Sequence, residues 1–293
     1  MKNLVLMEML KAYRCENIVE ATTALREIMQ NVALLALSRG NFFSHAAFYG
    51  GTALRILYGL NRGSEDMDFS LLAPDNAFDL QDYSDVIGTE FASFGMSASF
   101  SRRIKMERTN IQSGFLKGNT QTHLLCIGLD KELAVKVNPQ SELKIKVEVD
   151  TMPPQGFQTE IKYIYQPLPF AVRSYTLPDL LSGKLHAVLF RSWKHRVKGR
   201  DWYDLAWYAA HHREYNLEHL EKRSRQSGDY AGDVSMTNEM VQEMLKKRLM
   251  AVDIEQLKDD VKPFLHDSRE LDLWNICYFE DVFKRLRPSP VLK

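Results

Sequence analysis

Apolar residues recur with a helical period through the first forty positions, at Ala21, Leu25, Ile28, Val32 and Leu35. Together with good helix formers, this pattern predicts a helix from about residue 4 to 39, with Gly40 as its C-cap. The residues Phe48-Tyr49 predict the end of a short strand. Gly50-Gly51 then leads into a predicted short helix over 52–60.

Strict alternation of apolar and polar residues marks two strands. In 67–72, Met67, Phe69 and Leu71 are predicted to face one side of a sheet, with Asp66, Asp68 and Ser70 on the other. The same alternation runs through 143–150. Further strands are predicted near 97–106, 110–116 and 121–129, after a helix and its exit within 78–100.

After Thr176 the apolar residues follow a helical period, which predicts helices to about Leu286. A surface loop is predicted around 224–235. We therefore expect an α/β (α+β) protein with a mixed sheet and flanking helices, followed by a helical C-terminal half. The expected domains are residues 1–170 and residues 171–293, the second completing an active-site cleft.

Composition narrows the class of protein only a little. The 293 residues carry 38 Lys plus Arg and 38 Asp plus Glu, so net charge neither favours nor excludes a nucleic-acid partner. Three scattered cysteines are typical of reduced thiols in a cytosol and form no disulfide or zinc pattern. No apolar run approaches the roughly 20 residues of a membrane span, and we expect a cytoplasmic protein.

Candidate chemistry begins with Gly50-Gly51-Thr52 and the later acids Asp66 and Asp68. Two glycines at a strand-to-helix turn allow a phosphate to approach the backbone and the free N–H groups of the helix start. Two carboxylates at alternate strand positions point the same way and suit Mg²⁺, which prefers one or two carboxylates plus phosphate oxygens. The alternative is a tight turn followed by solvated acids.

Glu148 is a candidate third acid, if its strand neighbours 67–72. Asp150 lies on the same face, but its role is left open. The alternative is a solvent-facing charged ladder, because Lys144 and Lys146 share that face.

The helical half contributes Lys184, Asp201 and Asp204. Lys184 lies in a helical stripe of leucines, where a charge is costly unless it reaches a polar cleft or an anion; snorkelling to solvent is the alternative. Asp201 and Asp204 are neighbours on one helix face. Six Lys or Arg residues and no acid occur from 184 to 200, and a weaker basic cluster comprises Arg102, Arg103, Lys105 and Arg108. Both clusters fit an anionic polymer, although a solvated basic face is commoner.

The segments Phe48-Tyr-Gly-Gly-Thr-Ala-Leu-Arg55 and Arg62-Gly-Ser-Glu-Asp-Met-Asp-Phe-Ser70 resemble the first signature of the AbiEii/AbiGii toxin family. That family belongs to the polymerase-β-like nucleotidyltransferases. Lys184 and the run Gly199-Arg-Asp-Trp-Tyr-Asp-Leu205 resemble its later motifs. The resemblance covers roughly 45–72 and 143–210.

The resemblance implies a nucleotidyltransferase-type sheet and a Mg²⁺- or Mn²⁺-dependent toxin of a type IV-like toxin–antitoxin or phage-defence system. Its substrates would be an NTP and RNA, with tRNA the expected acceptor, and an antitoxin could be its partner. Asp66, Asp68 and, less closely, Glu148 would hold the metal ion, and Lys184 would contact phosphates. Asp201 or Asp204 would serve the catalytic cleft. The nucleotide-binding residues would be Gly50, Gly51, Thr52, Arg55, Ser64 and Arg200.

Two other classes of function stay open at this point. One is a small-molecule or protein nucleotidyltransferase, such as an antibiotic-modifying or AMP-adding enzyme, with the same metal site. The other is a non-catalytic RNA-binding protein on the same fold, which the presence of both Asp66 and Asp68 disfavours.

Overall fold

A computed structural model of the chain describes residues 2–103, 109–191 and 198–290. Its helices are α1 (Leu4–Leu10), α2 (Ile18–Arg39), α3 (Gly50–Tyr58), α4 (Ser84–Ser93), α5 (Thr120–Cys126), α6 (Lys131–Ala134), α7 (Leu177–Phe190), α8 (Gly199–His211), α9 (Leu217–Gln226), α10 (Asn238–Met250), α11 (Ile254–Val261) and α12 (Ile276–Arg285). Its strands are β1 (Ala46–Tyr49), β2 (Met67–Leu71), β3 (Ala98–Arg103), β4 (Ile111–Asn119), β5 (Glu142–Asp150), β6 (Thr159–Ile164), β7 (Phe170–Tyr175), β8 (Glu214–Tyr215) and β9 (Arg287–Pro288). Short 3-10 helices occur at Phe42–Ser44, Leu80–Tyr83, Lys262–Phe264 and Ser268–Leu273.

Seven strands form one mixed sheet in the order β3-β4-β5-β2-β1-β7-β6, and β8 pairs with β9 separately. The central strand β2 runs antiparallel to β1 and parallel to β5. The predicted alternation in β2 is confirmed, because Met67, Phe69 and Leu71 are buried. A mixed α/β fold with flanking helices is therefore confirmed.

The chain folds as two compact units. The sheet unit comprises Met1–Ala53, Ser64–Pro153 and Ile161–Ser174. The helical unit comprises Leu54–Gly63, Pro154–Glu160 and Tyr175–Lys293. The division at residue 170, as a boundary between functional domains, stays a prediction. No helix in the described ranges is both long and apolar enough to cross a membrane.

Each unit has its own apolar core. In the sheet unit, Phe48 of β1 stacks on Phe69 of β2 with ring centroids 5.1 Å apart. In the helical unit, the fully buried Trp202 of α8 packs edge-on against Phe279 of α12. Such aromatic pairs add to the free energy gained by burying their area.

The prediction of one helix over 4–39 is wrong in its continuity, because α1 ends at Leu10 and α2 begins at Ile18. Asn17 caps α2, and its side chain accepts a hydrogen bond from the Glu20 amide at 2.9 Å. Asparagine favours the N-cap because its side-chain oxygen satisfies an amide that has no helical acceptor. The cap therefore begins a second helix inside a range that periodicity alone predicted to be a single helix.

The predicted strand at 121–129 is also wrong, since Thr120–Cys126 is helix α5. Asn119 ends β4 and caps this helix, accepting from the Thr122 amide at 2.9 Å. A short apolar run is compatible with a strand and with a buried helix. Here the Asn119 cap favours the helix. Strands β6 and β7 were not predicted, and α3 begins at Gly50, two residues earlier than expected.

Candidate active site

A glycine corner joins β1 to α3 and lies against an acid of β2. Gly50 has a φ of 81°, a conformation that L side chains rarely adopt. A Cβ built there would lie 2.5 Å from Asp68 Oδ2. The backbone at the start of α3 and the Asp68 carboxylate are therefore in close contact, and any side chain at position 50 would separate them.

Thr52 fixes the segment that leads into β2. Its side chain is buried, and its hydroxyl donates to the Asp66 carbonyl and is hydrogen-bonded to Ser64 Oγ at 2.7 Å. From α2, Gln30 Nε2 donates to the carbonyls of Ser64 and Glu65, each at 3.2 Å. The side chains of Thr52 and Ser64, which were predicted to bind a nucleotide, thus hold this segment in place.

Asp68 and Glu148 lie directly opposite each other on the parallel strands β2 and β5. Tyr49 of β1 is opposite Asp68 on its other side. Register partners share a face of the sheet, and neighbouring strands lie about 4.8 Å apart. Asp66, two positions before Asp68, is exposed, while Asp68 is half-buried. The three predicted metal ligands therefore occur at one corner of the sheet unit.

Glu148 has partners of its own. Its carboxylate pairs with Lys146 Nζ at 2.8 Å and accepts from Ser113 Oγ at 3.0 Å. Asp150, whose role was left open, lies opposite Ser70 and accepts from the Met152 amide at 3.1 Å.

The described residues contain no group of three His, Cys, Asp or Glu side chains close enough to hold a metal ion by themselves. Two carboxylates beside a glycine corner nevertheless fit Mg²⁺, which is usually bound by one or two carboxylates plus substrate phosphates. The residues present therefore fit a cation that is bound together with a nucleotide.

The helical unit holds a second charged cluster, which we call the buried ion network. It links Lys184 of α7 to Asp201 and Asp204 of α8, with 2.7 Å from Lys184 Nζ to each carboxylate. Arg62 binds Asp204 through Nε at 2.6 Å and Nη2 at 2.7 Å. Arg191 Nη1 donates to Asp201 at 2.9 Å. Lys184 thus neither snorkels to solvent nor lies unpaired among the leucines.

Burial and pairing act in opposite directions on the pKa values of this network. Burial lowers the pKa of the Lys184 ammonium, but Asp201 and then Asp204 outweigh it, so the pKa lies above its usual value. Burial raises the pKa of the Asp201 carboxyl, and the charges of Lys184 and Arg191 reverse this, so the pKa lies below its usual value. Both groups are held in their charged forms.

Arg62 is the residue of this network that sequence reasoning missed. It stands inside the family signature, but no pattern connects it to Asp204, 142 positions later. Both oxygens of the fully buried Asp204 are bound to cations. Asp204 therefore positions Arg62 and Lys184, and its predicted role in the catalytic cleft has no direct contact to support it.

The other predicted nucleotide-binding residues have local partners. Arg55 Nη1 donates to the Leu60 carbonyl at 2.8 Å. The Arg200 guanidinium lies 4.2 Å from the centre of the Phe264 ring, a cation–π contact.

Both predicted basic clusters extend outside the described residues. Lys194 and Arg196 of the 184–200 run, and Lys105 and Arg108 of the weaker cluster, fall there. Of the described members, Arg102 pairs with Asp79 at 2.8 Å. The predicted RNA contacts of these clusters stay predictions.

Gly50→Ala should lower both stability and activity, because it adds strain at a positive φ and places a methyl group against Asp68. Gly59→Ala is a matched control, since Gly59 has a φ of 77° with nothing within 4 Å of an added Cβ. Each substitution should cost about 1–2 kcal/mol for its backbone conformation, measured by urea unfolding. Only Gly50→Ala should also reduce nucleotide transfer, and equal activities of the two variants would contradict the assignment of the corner.

The fold is similar to that of solved structures. The crystal structure of JHP933 from Helicobacter pylori is 18% identical with a TM-score of 0.50, and the match covers 89% of this chain and 90% of that chain. A second H. pylori protein, described only provisionally as a nucleotidyltransferase, is 18% identical with a TM-score of 0.46, over 89% of each chain. At this identity the likeness concerns the fold alone. Among curated proteins, none matches the sequence.

The family is established by sequence. Residues 32–284 match the nucleotidyl transferase AbiEii toxin of type IV toxin–antitoxin systems. The chain belongs to this family, as the residues of the glycine corner together with Asp66 and Asp68 first indicated.

Proposed function

We propose that the protein is a Mg²⁺- or Mn²⁺-dependent nucleotidyltransferase toxin that transfers a nucleotide from an NTP to RNA, with tRNA as the acceptor. The observation that carries this proposal is the contact of Asp68 with the backbone of Gly50, in register with Glu148. A place for phosphates and a place for their counter-cation coincide at this corner.

The chain's own residues would position the triphosphate. The amides of Gly50 and Gly51 open α3, where helix N–H groups lack helical acceptors and the helix dipole favours an anion. Thr52 and Gln30 hold the segment that carries Asp66, so the acids need little reorganisation on binding.

Asp66 and Asp68 would hold the cation, and Glu148 would join them by exchanging its Lys146 partner. A bound cation would neutralise triphosphate charge and lower the pKa of the attacking hydroxyl. Positioning and charge neutralisation are the main contributions that phosphoryl transfer needs from a protein.

Lys184 is proposed as a phosphate contact on separate grounds. An ammonium has three N–H donors, and Asp201 and Asp204 account for two of them. Because the pairing with Asp201 and Asp204 outweighs burial and keeps Lys184 charged, a third donor can bind a phosphate oxygen without a change of protonation.

The test of the acceptor is incubation of the protein with each labelled NTP, Mg²⁺ and total RNA, with Asp68→Asn as the inactive control. We expect label on RNA in the tRNA size range for the unaltered protein only. Replacing Lys194, Arg196 and Lys198 together should reduce RNA labelling more than NTP binding, and each lost phosphate contact should lower the salt slope of RNA binding by about one unit.

Label on protein, or on a small molecule, would refute RNA as the acceptor and favour the AMP-adding or antibiotic-modifying class. The toxin role is tested separately by expressing the protein in growing cells. Growth arrest by the unaltered protein but not by Asp68→Asn, relieved by a regulator encoded next to it, would support the toxin–antitoxin role. Equal arrest by both would contradict a catalytic toxin.

A further inference from the structure

The last strand of the large sheet is an edge strand. Strand β6 stands at the end of the order β3-β4-β5-β2-β1-β7-β6, so in the described part of the chain β7 is its single neighbouring strand. A sheet edge is a template for pairing with another chain, and proteins normally protect it with charges, prolines or a covering segment.

This strand carries a row of exposed apolar residues. Ile161 and Tyr163 lie on one face of β6, and Tyr165 follows at the next alternate position, directly after the strand ends at Ile164. Their surfaces are 49%, 67% and 73% exposed. In the described ranges, neither tyrosine ring stacks on another ring. Ile164 is buried on the opposite face. Three large exposed side chains in a row are unusual for the free surface of one molecule.

The charges of the strand argue against nucleic acid as the occupant. Between 159 and 165 they are Glu160 and Lys162, which sum to zero. A polyanion would therefore gain no net attraction from this strand, whereas nucleic-acid binding depends on an excess of positive charge.

We propose that β6 pairs antiparallel with β6 of a second copy of this chain. In a two-fold pairing that continues the sheet, opposite residues must share a face, so the axis passes through a residue. An axis at Lys162 would set two lysines opposite each other, which is unfavourable.

An axis at Tyr163 gives every exposed apolar residue of the row a partner. Tyr163 then faces its own copy, and Ile161 faces Tyr165 on both sides of the axis. Aromatic and β-branched cross-strand pairs of this kind are favourable. Lys162 would face Ile164, so the register brings no like charges together.

One short strand from each copy forms this interface, which is far fewer than the roughly 20–30 residues a side of a standard stable interface. The dimer should therefore be weak, with a Kd on the order of 10 μM. It does not depend on nucleotide transfer, so an inactive variant such as Asp68→Asn should dimerise equally well.

Sedimentation velocity from about 1 to 200 μM, a range that brackets this Kd, should show the unaltered protein passing from monomer to dimer. Tyr163→Lys should remain monomeric while melting like the unaltered protein. Val234→Lys, at a residue 66% exposed in a loop of the helical unit, should dimerise normally. A monomer throughout this range, or dimers of Tyr163→Lys, would overturn the proposal.

Cysteine cross-linking tests the register, in a background where the exposed Cys277 is replaced by Ser. Tyr163→Cys would place two thiols on residues whose Cα atoms lie about 4.5–5.5 Å apart, within reach of a disulfide. Mild oxidation should link this variant into dimers. Ile161→Cys faces Tyr165 and should not cross-link; equal linking of both variants would reject an axis at Tyr163.

Discussion

Asp68→Asn should abolish nucleotide transfer while leaving the fold intact. The amide keeps the size of the carboxylate against Gly50, so packing at the corner is retained. It removes the charge that would hold a cation beside the triphosphate. We expect activity to fall about a thousandfold or more, as when other electrostatic contacts of a transition state are removed.

The same variant has a readout that does not depend on catalysis. In EDTA, the two proteins should melt within about 3 °C of each other, because the side chain is half-buried and serves no core. Adding Mg²⁺ with a non-hydrolysable NTP should raise the melting temperature of the unaltered protein alone. Asp75→Asn, an exposed acid just beyond β2, is the control and should behave like the unaltered protein. If Asp68→Asn unfolds in EDTA, the acid is structural.

The acids of this corner could be predicted because their signal is local. Alternation alone placed Asp66 and Asp68 opposite the buried face of β2, and it placed Glu148 on the exposed face of β5. The sequence predicted that Asp68 and Glu148 are adjacent only on the condition that their strands are neighbours. The condition stayed open because parallel pairing joins residues 80 positions apart and leaves no local pattern. The contact of Gly50 with Asp68 likewise depends on the path of the chain between them.

For Lys184, the local sequence pattern predicted the burial of the side chain correctly but its surroundings wrongly. The leucine stripe of α7 predicted a charge in an apolar setting, and the residue is indeed nearly buried. An unpaired buried charge would make Lys184→Met neutral or stabilising. Because Asp201 and Asp204 flank the ammonium, the expected sign for stability is reversed.

Asp204→Asn should be the most destabilising of the substitutions considered for the helical unit. It leaves the buried Arg62 guanidinium without its bidentate carboxylate and removes one of the two partners of Lys184. Breaking a buried ion pair in this way costs about 3–5 kcal/mol. All four tryptophans lie between 193 and 274, so urea unfolding followed by tryptophan fluorescence reports on this unit. Arg191→Gln is the control: its side chain is 51% exposed and should cost about 0–1 kcal/mol.

The stability cost of Asp204→Asn should also depend on whether its partner Lys184 is present. Lys184→Met alone should cost about 1–3 kcal/mol, because Asp201 and Asp204 keep Arg191 and Arg62. Combined with Asp204→Asn, it should cost less than the sum, since the double variant removes one charge of each sign, with a coupling of about 1 kcal/mol or more. The lowered pKa of Asp201 adds stability above the usual carboxyl range, and that stability should be lost as the pH falls through the lowered pKa. Strict additivity would show that Lys184 and Asp204 are not coupled. An Asp204→Asn protein as stable as the unaltered one would show that the network contributes no stability.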